Sequence, residues 1–236
     1  MDTNTPRLRT NFFDAVERIP SVDGKVNWYM CVVVNLAAIN YPELLPNVWA
    51  HIDRHLFPGL GHDEQFKVAQ KLREALIKAC GIMGAAKTGT AMRTLCKCIP
   101  DNLRDPVARR SQETQEQASA RGHAFWRRIY ARNPEFDPDA TGNASPDYAF
   151  VVRDLLYGRI FSFDAILSDL ETGSVIVSTL IGLDCQNQLR NHLKGMLYNG
   201  ATREELEQLQ DLCLGMAKDL GVTFRSTPRP IPSIDD

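Results

Sequence analysis

Apolar side chains return at spacings of three and four residues along most of the chain, which is the period of an amphipathic helix rather than of a strand. Within residues 62–84 the stripe consists of Phe66, Ala69, Leu72, Leu76, Ala79 and Cys80. Most lysines and arginines of this segment fall outside the stripe, as on a helix with one buried face. Gly81 and Gly84 then offer positions where a helix can end. The pattern predicts a long helix here and a shorter one over residues 85–99.

Residues 28–39 are hydrophobic on all sides, which predicts a buried central helix, with a buried strand as the alternative for the valine run. Residues 123–136 predict an amphipathic helix with an aromatic face. Helices are also predicted over residues 148–163 and 169–183. Strand signals are nearly absent elsewhere, so we expect an all-α fold.

The last long helix is predicted to begin after Thr202, because Glu205 completes a capping box with it three residues later. Gly221 suits the end of this helix. Residues 100–122 are charged and polar and are expected to form a linker or a solvated helix. Residues 137–147 are dense in turn formers and predict a loop.

These elements suggest five segments. They are an N-terminal extension (1–25), a first helical repeat (26–99), a linker with the aromatic helix (100–146), a second repeat with the candidate site (147–222) and a tail (223–236). The tail is proline-rich and is expected to be disordered or draped over the surface.

An internal repeat is suggested by the order of the elements, because residues 28–84 and 174–221 both show an apolar helix, a break and an amphipathic helix. Superposing the two copies places Tyr41 over Cys185, Leu44 over Gln188 and Val48 over His192. A polar site at these positions would then exist only in the second copy.

Charge and composition exclude several classes of protein. The chain has 236 residues, is 44% hydrophobic and carries a net charge of −2, with a pI near 6.2. A nucleic-acid-binding domain is normally more basic, so no nucleic-acid partner is expected. The apolar run at residues 28–39 is too short to span a bilayer, and no membrane association is expected.

Targeting signals give little information on location. The first residues show no signal peptide, and the Ile-Asp-Asp end lacks the Ser-Lys-Leu type of peroxisomal address. A soluble protein of the cytoplasm is the default expectation. The peroxisome and the mitochondrion remain open as alternatives.

Two groups of residues carry candidate metal or thiol chemistry outside the second repeat. Cys96 and Cys98 form a C-x-C rather than a redox pair or a zinc knuckle. His51 and His55 have the i, i+4 spacing that lets two imidazoles share zinc, but Ile52 occupies the place where the protease motif needs glutamate. A solvated helix end is the favoured interpretation, and no metal is expected.

Residues 192–209 carry the clearest motif, in which His192 precedes a small-residue helix and Asn-Gly-x-Thr at 199–202 opens the next helix. The chain here resembles the carboxymuconolactone decarboxylase and alkyl hydroperoxidase D-like superfamily. Residues 72–95 resemble another stretch of that superfamily, and residues 121–133 and 146–162 resemble its longer two-repeat members, which are common in fungi. The resemblance covers roughly residues 26–222 and implies an alkyl hydroperoxidase D-like helical bundle.

The peroxidase members of this superfamily use a C-x-x-C pair with a glutamate and a histidine. Cys185 and His192 match the first thiol and the histidine, but Gln188 stands at the second thiol. The acidic position falls on Gly173, and Glu171 is about two residues out of register. A thiol peroxidase is therefore the less favoured function.

The decarboxylase branch needs no thiol pair, metal or organic cofactor. The resemblance implies a cofactor-independent lyase or isomerase acting on a small carbonyl-bearing substrate, which in fungi could belong to specialised metabolism. His192 would be the acid–base group, since an imidazole titrates near neutral pH. If residues 185–192 are helical, Cys185, Gln188 and His192 lie at i, i+3 and i+7 on one face and would point into one space.

Three aromatic residues are expected to shape the substrate pocket: Trp126, Tyr148 and Tyr157. The resemblance also implies a homo-oligomer, and the apolar helix at residues 28–39 is consistent with a large apolar interface. The alternative function is a non-catalytic oligomer that binds a ligand or a partner. In that case His192 would be a hydrogen-bonded core residue, and Cys185 and Gln188 would serve packing and capping.

Overall fold

The protein forms an all-α helical bundle in the computed structural model, which describes residues 7–9, 11–19 and 26–234. Throughout these ranges the secondary structure is helical, with no strand. The helices are α1 (Phe12–Arg18), α2 (Val26–Ala38), α3 (Leu45–His55), α4 (His62–Cys96), α5 (Gln115–Tyr130), α6 (Ala140–Ala144), α7 (Pro146–Phe150), α8 (Asp169–Gly182), α9 (Gln186–Tyr198) and α10 (Arg203–Asp219). Short 3-10 turns cover Pro42–Leu44, Asp101–Leu103 and Arg109–Gln112, and a π-helical segment covers Val151–Phe161. None of the described helices is long and apolar enough to cross a membrane.

Helices α2 and α8 form the centre of the bundle, and α4 and α10 pack against both. The side-chain amide of Asn35 donates a hydrogen bond of 3.0 Å to the carbonyl of Ser178, which links the two central helices. They approach closely because Gly182 faces Ala38, and a Cβ at Gly182 would lie only 2.7 Å from the Cβ of Ala38. The valine run of residues 32–34 is therefore helical, and the strand alternative is wrong.

The suggestion that this apolar helix forms an oligomer interface is also wrong. The side chains of Val32, Val33 and Val34 are 0% exposed within the single chain. Because α8, α4 and α10 of the same chain cover α2, its described side chains leave no apolar face for a second copy.

The breaks after α2 and α8 have the same backbone geometry at the positions that the suggested repeat pairs. Asn40 and Asp184 both adopt a left-handed conformation, with φ of 69° and 57°. The amide of Tyr41 donates to the carbonyl of Leu36 (2.8 Å), and that of Cys185 donates to Leu180 (3.0 Å). These hydrogen bonds support the alignment of Tyr41 with Cys185. The division into two repeats remains a prediction.

Several element boundaries differ from those expected. Gly84 interrupts α4 with φ of 81° and ψ of 168°, so the two predicted helices follow each other across a kink. Helix α5 begins at Gln115, within the expected linker, because the Thr114 side chain accepts a hydrogen bond from the amide of Gln117. The loop at residues 137–147 contains the short helix α6 and the start of α7.

The two ends of the chain lie against the bundle where they are described. The predicted N-terminal extension falls partly outside the described residues, and within it α1 buries Phe12 and Val16. The tail up to residue 234 is draped over the surface, since Ile231 is buried and its carbonyl accepts a hydrogen bond of 3.0 Å from Arg203. The capping box of Thr202 and Glu205 at the start of α10 is confirmed.

Candidate functional site

Two tyrosines and a histidine from three different elements form a hydrogen-bonded row that ends on α9. Tyr130 closes α5, Tyr157 lies in the π-helical segment, and His192 lies on α9. The Tyr130 hydroxyl lies 2.7 Å from the Tyr157 hydroxyl and 3.0 Å from Nε2 of His192. The rings of Tyr130 and His192 meet edge to face with their centroids 5.7 Å apart. The fold therefore places a continuous chain of hydrogen bonds between Tyr157 and His192.

Burial determines the protonation states of this row. It lowers the pKa of His192 from 6.5 to about 4, so the imidazole is neutral at pH 7. Burial raises the pKa of Tyr130 to about 12, against a smaller opposing effect of the hydrogen bond with Tyr157. Burial, and next the neighbouring Tyr130, raise the pKa of Tyr157 well above 10. All three groups are therefore uncharged at neutral pH, and they interact through hydrogen bonds between neutral groups.

His192 also lines a small cleft, whose walls come from α5, α8 and α9. The cleft has room for about 20 Å³, which is close to the space that one water molecule needs. Its lining residues are Phe125, Arg128, Ile129, Asp169, Leu170, Gly173, His192, Gly195, Met196 and Asn199. Nδ1 of His192 has no hydrogen-bond partner among the described residues. His192 thus contacts the tyrosine row through Nε2 and also lines the cleft.

An ion pair stands at the rim of this cleft. Nε of Arg128 donates a hydrogen bond of 2.6 Å to Asp169, and both side chains are more than a third exposed. The side chain of Asn199 donates a hydrogen bond of 2.8 Å to the carbonyl of Arg128. The cleft therefore combines a buried neutral imidazole with an accessible guanidinium.

A larger pocket of about 150 Å³ adjoins the cleft, and Leu170 and Met196 line both. Its other walls include Trp28, Ser174, Thr202 and Glu205. The indole N–H of Trp28 is buried and has no hydrogen-bond partner in the described part of the chain. This pocket is mainly apolar, as is typical of a small-molecule site.

Cys185 and Gln188 do not line the cleft that His192 lines. Helix α9 begins at Gln186, so Cys185 is its N-cap and the i, i+7 relation to His192 does not apply. Cys185 and Gln188 line an open groove beneath the tail, together with Ser226, Thr227 and Arg229. His192 instead faces α5 and the cleft, so the expectation that the three side chains share one space is wrong.

Of the three aromatic residues expected at the pocket, only Tyr157 is hydrogen-bonded into the row with His192. Trp126 packs against Tyr130, with ring centroids 5.3 Å apart, but it lines a separate surface hollow with His123 and Arg153. Tyr148 is 58% exposed on α7 and does not line the cleft.

Sequence reasoning missed Tyr130, Arg128 and Asp169. Tyr130 belongs to the recognised aromatic face of α5, so its burial was predictable while its partner was not. Glu171 lies outside the cleft because it caps the backbone amide of Ser168 and pairs with Lys71. Gly173 does line the cleft, and the side chain of Met196 fills the space where a longer side chain at residue 173 would extend.

Metal-binding side chains come together elsewhere. In the part of the chain that the structure describes, Glu17, His51 and His55 are the side chains that could hold an ion between them. They are on α1 and α3, which contribute no residue to the cleft.

Comparison with known proteins finds relatives at modest identity, and no family model matches the chain. Peroxisomal protein 2 of Schizosaccharomyces pombe is 29% identical over 197 residues, which cover 84% of this chain and 88% of that protein. Peroxisomal protein 2 of Saccharomyces cerevisiae is 26% identical over 186 residues, which cover 69% of this chain and 66% of that protein. The chain is thus similar over most of its length to yeast proteins whose names place them in the peroxisome.

Proposed function

We propose that the protein is a cofactor-independent lyase or isomerase that moves protons on a small carbonyl-bearing organic substrate, with His192 as the acid–base group. The observation that supports this function is the buried row of Tyr157, Tyr130 and His192, which ends at a cleft. A histidine that served packing alone would need neither two buried hydroxyls hydrogen-bonded in a row nor a position in the wall of a cleft.

The hydrogen bonds of the row can point in either direction, and this property suits proton transfer. When Nε2 of His192 donates to Tyr130, and Tyr130 to Tyr157, Nδ1 has a free lone pair and can accept a proton from the cleft. When the hydroxyls donate in the opposite direction, Nδ1 carries the proton and can return it. A negative charge developing on the substrate would raise the imidazole pKa towards neutrality, because an opposite charge favours the protonated form.

The substrate is expected to occupy the 150 Å³ pocket and to reach His192 past Met196. A methionine side chain has three rotatable bonds and changes its conformation at low cost. Its movement would join the pocket to the cleft. Arg128 at the rim could then bind a carboxylate or an enolate oxygen, for which guanidinium is well suited.

Isotope exchange tests this function with a set of candidate compounds. The full chain is incubated in D₂O with a panel of β-keto acids and unsaturated lactones, and NMR follows deuterium incorporation at the α-carbon and any release of carbon dioxide. We expect turnover of at least one compound, lowered by about 100-fold or more in His192→Gln, the range that general acid–base catalysis contributes.

The matched control is Cys185→Ser, because the Cys185 thiol lies in the groove beneath the tail. This variant should retain most of the activity. Full activity in His192→Gln would contradict the acid–base role, and loss of activity in Cys185→Ser alone would return the thiol to the mechanism. No exchange with any member of the panel would contradict the substrate class.

A non-catalytic, ligand-binding oligomer is the second candidate function. The specific observation in its favour is the small volume beside His192, about 20 Å³, which holds no organic substrate unless Met196 moves. In this case members of the panel would bind in a calorimetric titration, and neither exchange nor release of carbon dioxide would follow.

The compartment proposed for the protein is the peroxisome, in agreement with the names of the two yeast relatives. A fluorescent protein fused to the N-terminus, which leaves the C-terminus free, should coincide with a peroxisomal marker in fungal cells. A diffuse signal throughout the cytoplasm would contradict this location and favour the cytoplasmic expectation.

A further inference from the structure

The packing of α1 on α3 brings two histidines and a carboxylate together, far along the chain from His192. Phe13 stacks on the His51 ring, with centroids 4.4 Å apart and planes 12° from parallel. Phe12, on the same short helix, is 1% exposed. The apolar side chains of α1 therefore fix its position, and Glu17 is held beside α3.

The three candidate ligands are close enough for one ion. Nε2 of His51 lies 2.8 Å from Oε1 of Glu17. The rings of His51 and His55 stack with centroids 4.3 Å apart. One ligand atom from each of these residues can be chosen so that all three lie within 4.8 Å of one another.

We propose that Glu17, His51 and His55 form a binding site for a borderline transition-metal dication, with zinc as the preferred occupant. The ligands of one tetrahedral zinc ion lie roughly 3.3 Å apart, as follows from bond lengths of about 2.0–2.2 Å. An imidazole binds a metal in the plane of its ring, so the exposed His55 side chain would turn out of its stack on His51 to place a nitrogen at that distance. The third ligand of this site is Glu17 on α1 rather than a residue of α3.

The ligand types select the class of ion. Two imidazoles favour zinc, nickel or copper over magnesium and calcium, which prefer oxygen ligands. Two histidines and a glutamate also form the three-ligand set found with zinc ions that keep one position open for water. The site would therefore hold the ion in contact with solvent, on the exposed side of His55.

Tyr29 on α2 supports the orientation of the carboxylate. Its hydroxyl donates a hydrogen bond of 3.3 Å to Oε1 of Glu17. Hydrogen bonds of this kind to metal-binding carboxylates orient them and typically strengthen metal binding.

The proposal is independent of the function of His192 and is tested with zinc chloride alone. Full-length protein without a histidine tag is stripped with EDTA, and zinc is titrated in competition with a chromogenic chelator. We expect one zinc ion per chain. Glu17→Gln and His55→Ala should each weaken binding by at least about tenfold, equivalent to about 1.4 kcal/mol.

His62→Ala is the matched control, because His62 is an exposed histidine outside the cluster. It should bind zinc like the unmodified protein. His55 is exposed, so its replacement should leave the fold intact, and circular dichroism checks this. As a second measurement, zinc should raise the Tm of the unmodified protein and of His62→Ala but not of His55→Ala, because a ligand that binds the folded state stabilises it.

Two results would overturn the site. One is equal zinc affinity in the unmodified protein, Glu17→Gln and His55→Ala, which would assign the ion to other residues such as Cys96 and Cys98. The other is no zinc bound by the unmodified protein at micromolar concentration.

Discussion

The hydroxyl of Tyr130 lies 3.0 Å from Nε2 of His192 and 2.7 Å from the hydroxyl of Tyr157. A single buried oxygen thereby joins α5, α9 and the π-helical segment, which are far apart in the sequence. All three side chains are at least 92% buried, with exposures of 5%, 8% and 4%. Removing any one of the polar groups leaves a buried neighbour without its partner.

Tyr130→Phe should therefore lower the free energy of unfolding by about 1–3 kcal/mol, which is the cost of leaving buried polar groups unpaired. Urea denaturation of the full chain measures this change. Tyr198→Phe is the control, since Tyr198 is only partly buried and its ring contacts Arg132 rather than the row, and its effect should stay within about 0.5 kcal/mol. Equal effects of the two substitutions would show that the row of hydrogen bonds does not stabilise the fold.

The stability should depend on pH through His192. Burial lowers its pKa from 6.5 to about 4, so between these values the unfolded chain binds a proton that the folded chain does not. The contribution of this group is fully present above pH 6.5 and is lost as the pH falls to about 4. The loss amounts to about 3 kcal/mol at 1.36 kcal/mol per pKa unit.

Comparison with His192→Gln isolates this contribution, because all other titrating groups are shared. Urea denaturation at several pH values between about 4 and 7 gives the difference in unfolding free energy between the two proteins. On acidification the unfolding free energy of the unmodified protein should fall by about 3 kcal/mol relative to that of His192→Gln. A difference that is constant with pH would show that His192 titrates normally in the folded state.

Local signals in the sequence were sufficient to predict the central helices and the start of α10. An all-apolar segment became α2, and the pair Thr202 and Glu205 formed the expected capping box. These features depend on neighbouring residues only. The kink at Gly84 was likewise indicated by the glycine itself, because a φ of 81° is costly for other residues.

Predicting the site required knowledge of how the helices pack on one another, which local sequence patterns do not contain. Cys185, Gln188 and His192 were grouped on the assumption that one helix covers all three residues. Asp184 instead adopts φ of 57°, and α9 starts only at Gln186. The first turn of α9 then lies beside the tail, while the turn with His192 packs on α5. Similarly, Tyr130 and Arg128 reach the site through the packing of α5 on α9.

The π-helical segment depends on a close approach of two glycines. A Cβ at Gly122 on α5 would lie 2.6 Å from the Cα of Gly158 in that segment. Gly122→Ala should therefore force the two elements apart and lower the free energy of unfolding by about 1–3 kcal/mol, as is usual for overpacking. Because Tyr157 precedes Gly158, the substitution should also lower any activity that depends on His192.

Gly142→Ala in α6 is the matched control for this substitution. A Cβ there has no neighbour within 4 Å, and the residue does not adopt a positive φ. Alanine favours helix relative to glycine, so this variant should be unchanged or slightly stabilised. If Gly122→Ala behaves in the same way, the contact between α5 and the π-helical segment is looser than the geometry indicates.

We predict that the protein forms a homo-oligomer and that it assembles through α7 rather than through α2. Helix α2 is covered within the chain, whereas α7 and the residue after it carry a cluster of large apolar side chains that are 40–58% exposed, namely Tyr148, Phe150 and Val151. Size-exclusion chromatography with light scattering should give a multiple of 26.5 kDa. Tyr148→Asp should reduce the mass towards that of one chain, since a charge is costly in an apolar contact.

Aspartate at residue 148 should leave α7 itself intact, because an acidic side chain in the first turn of a helix interacts favourably with its dipole. Val107→Asp is the control, since Val107 is 52% exposed and lies outside α7, and it should not change the mass. A mass of 26.5 kDa for the unmodified protein would contradict the oligomer. An oligomer that is unaffected by Tyr148→Asp would place the interface on another face of the bundle.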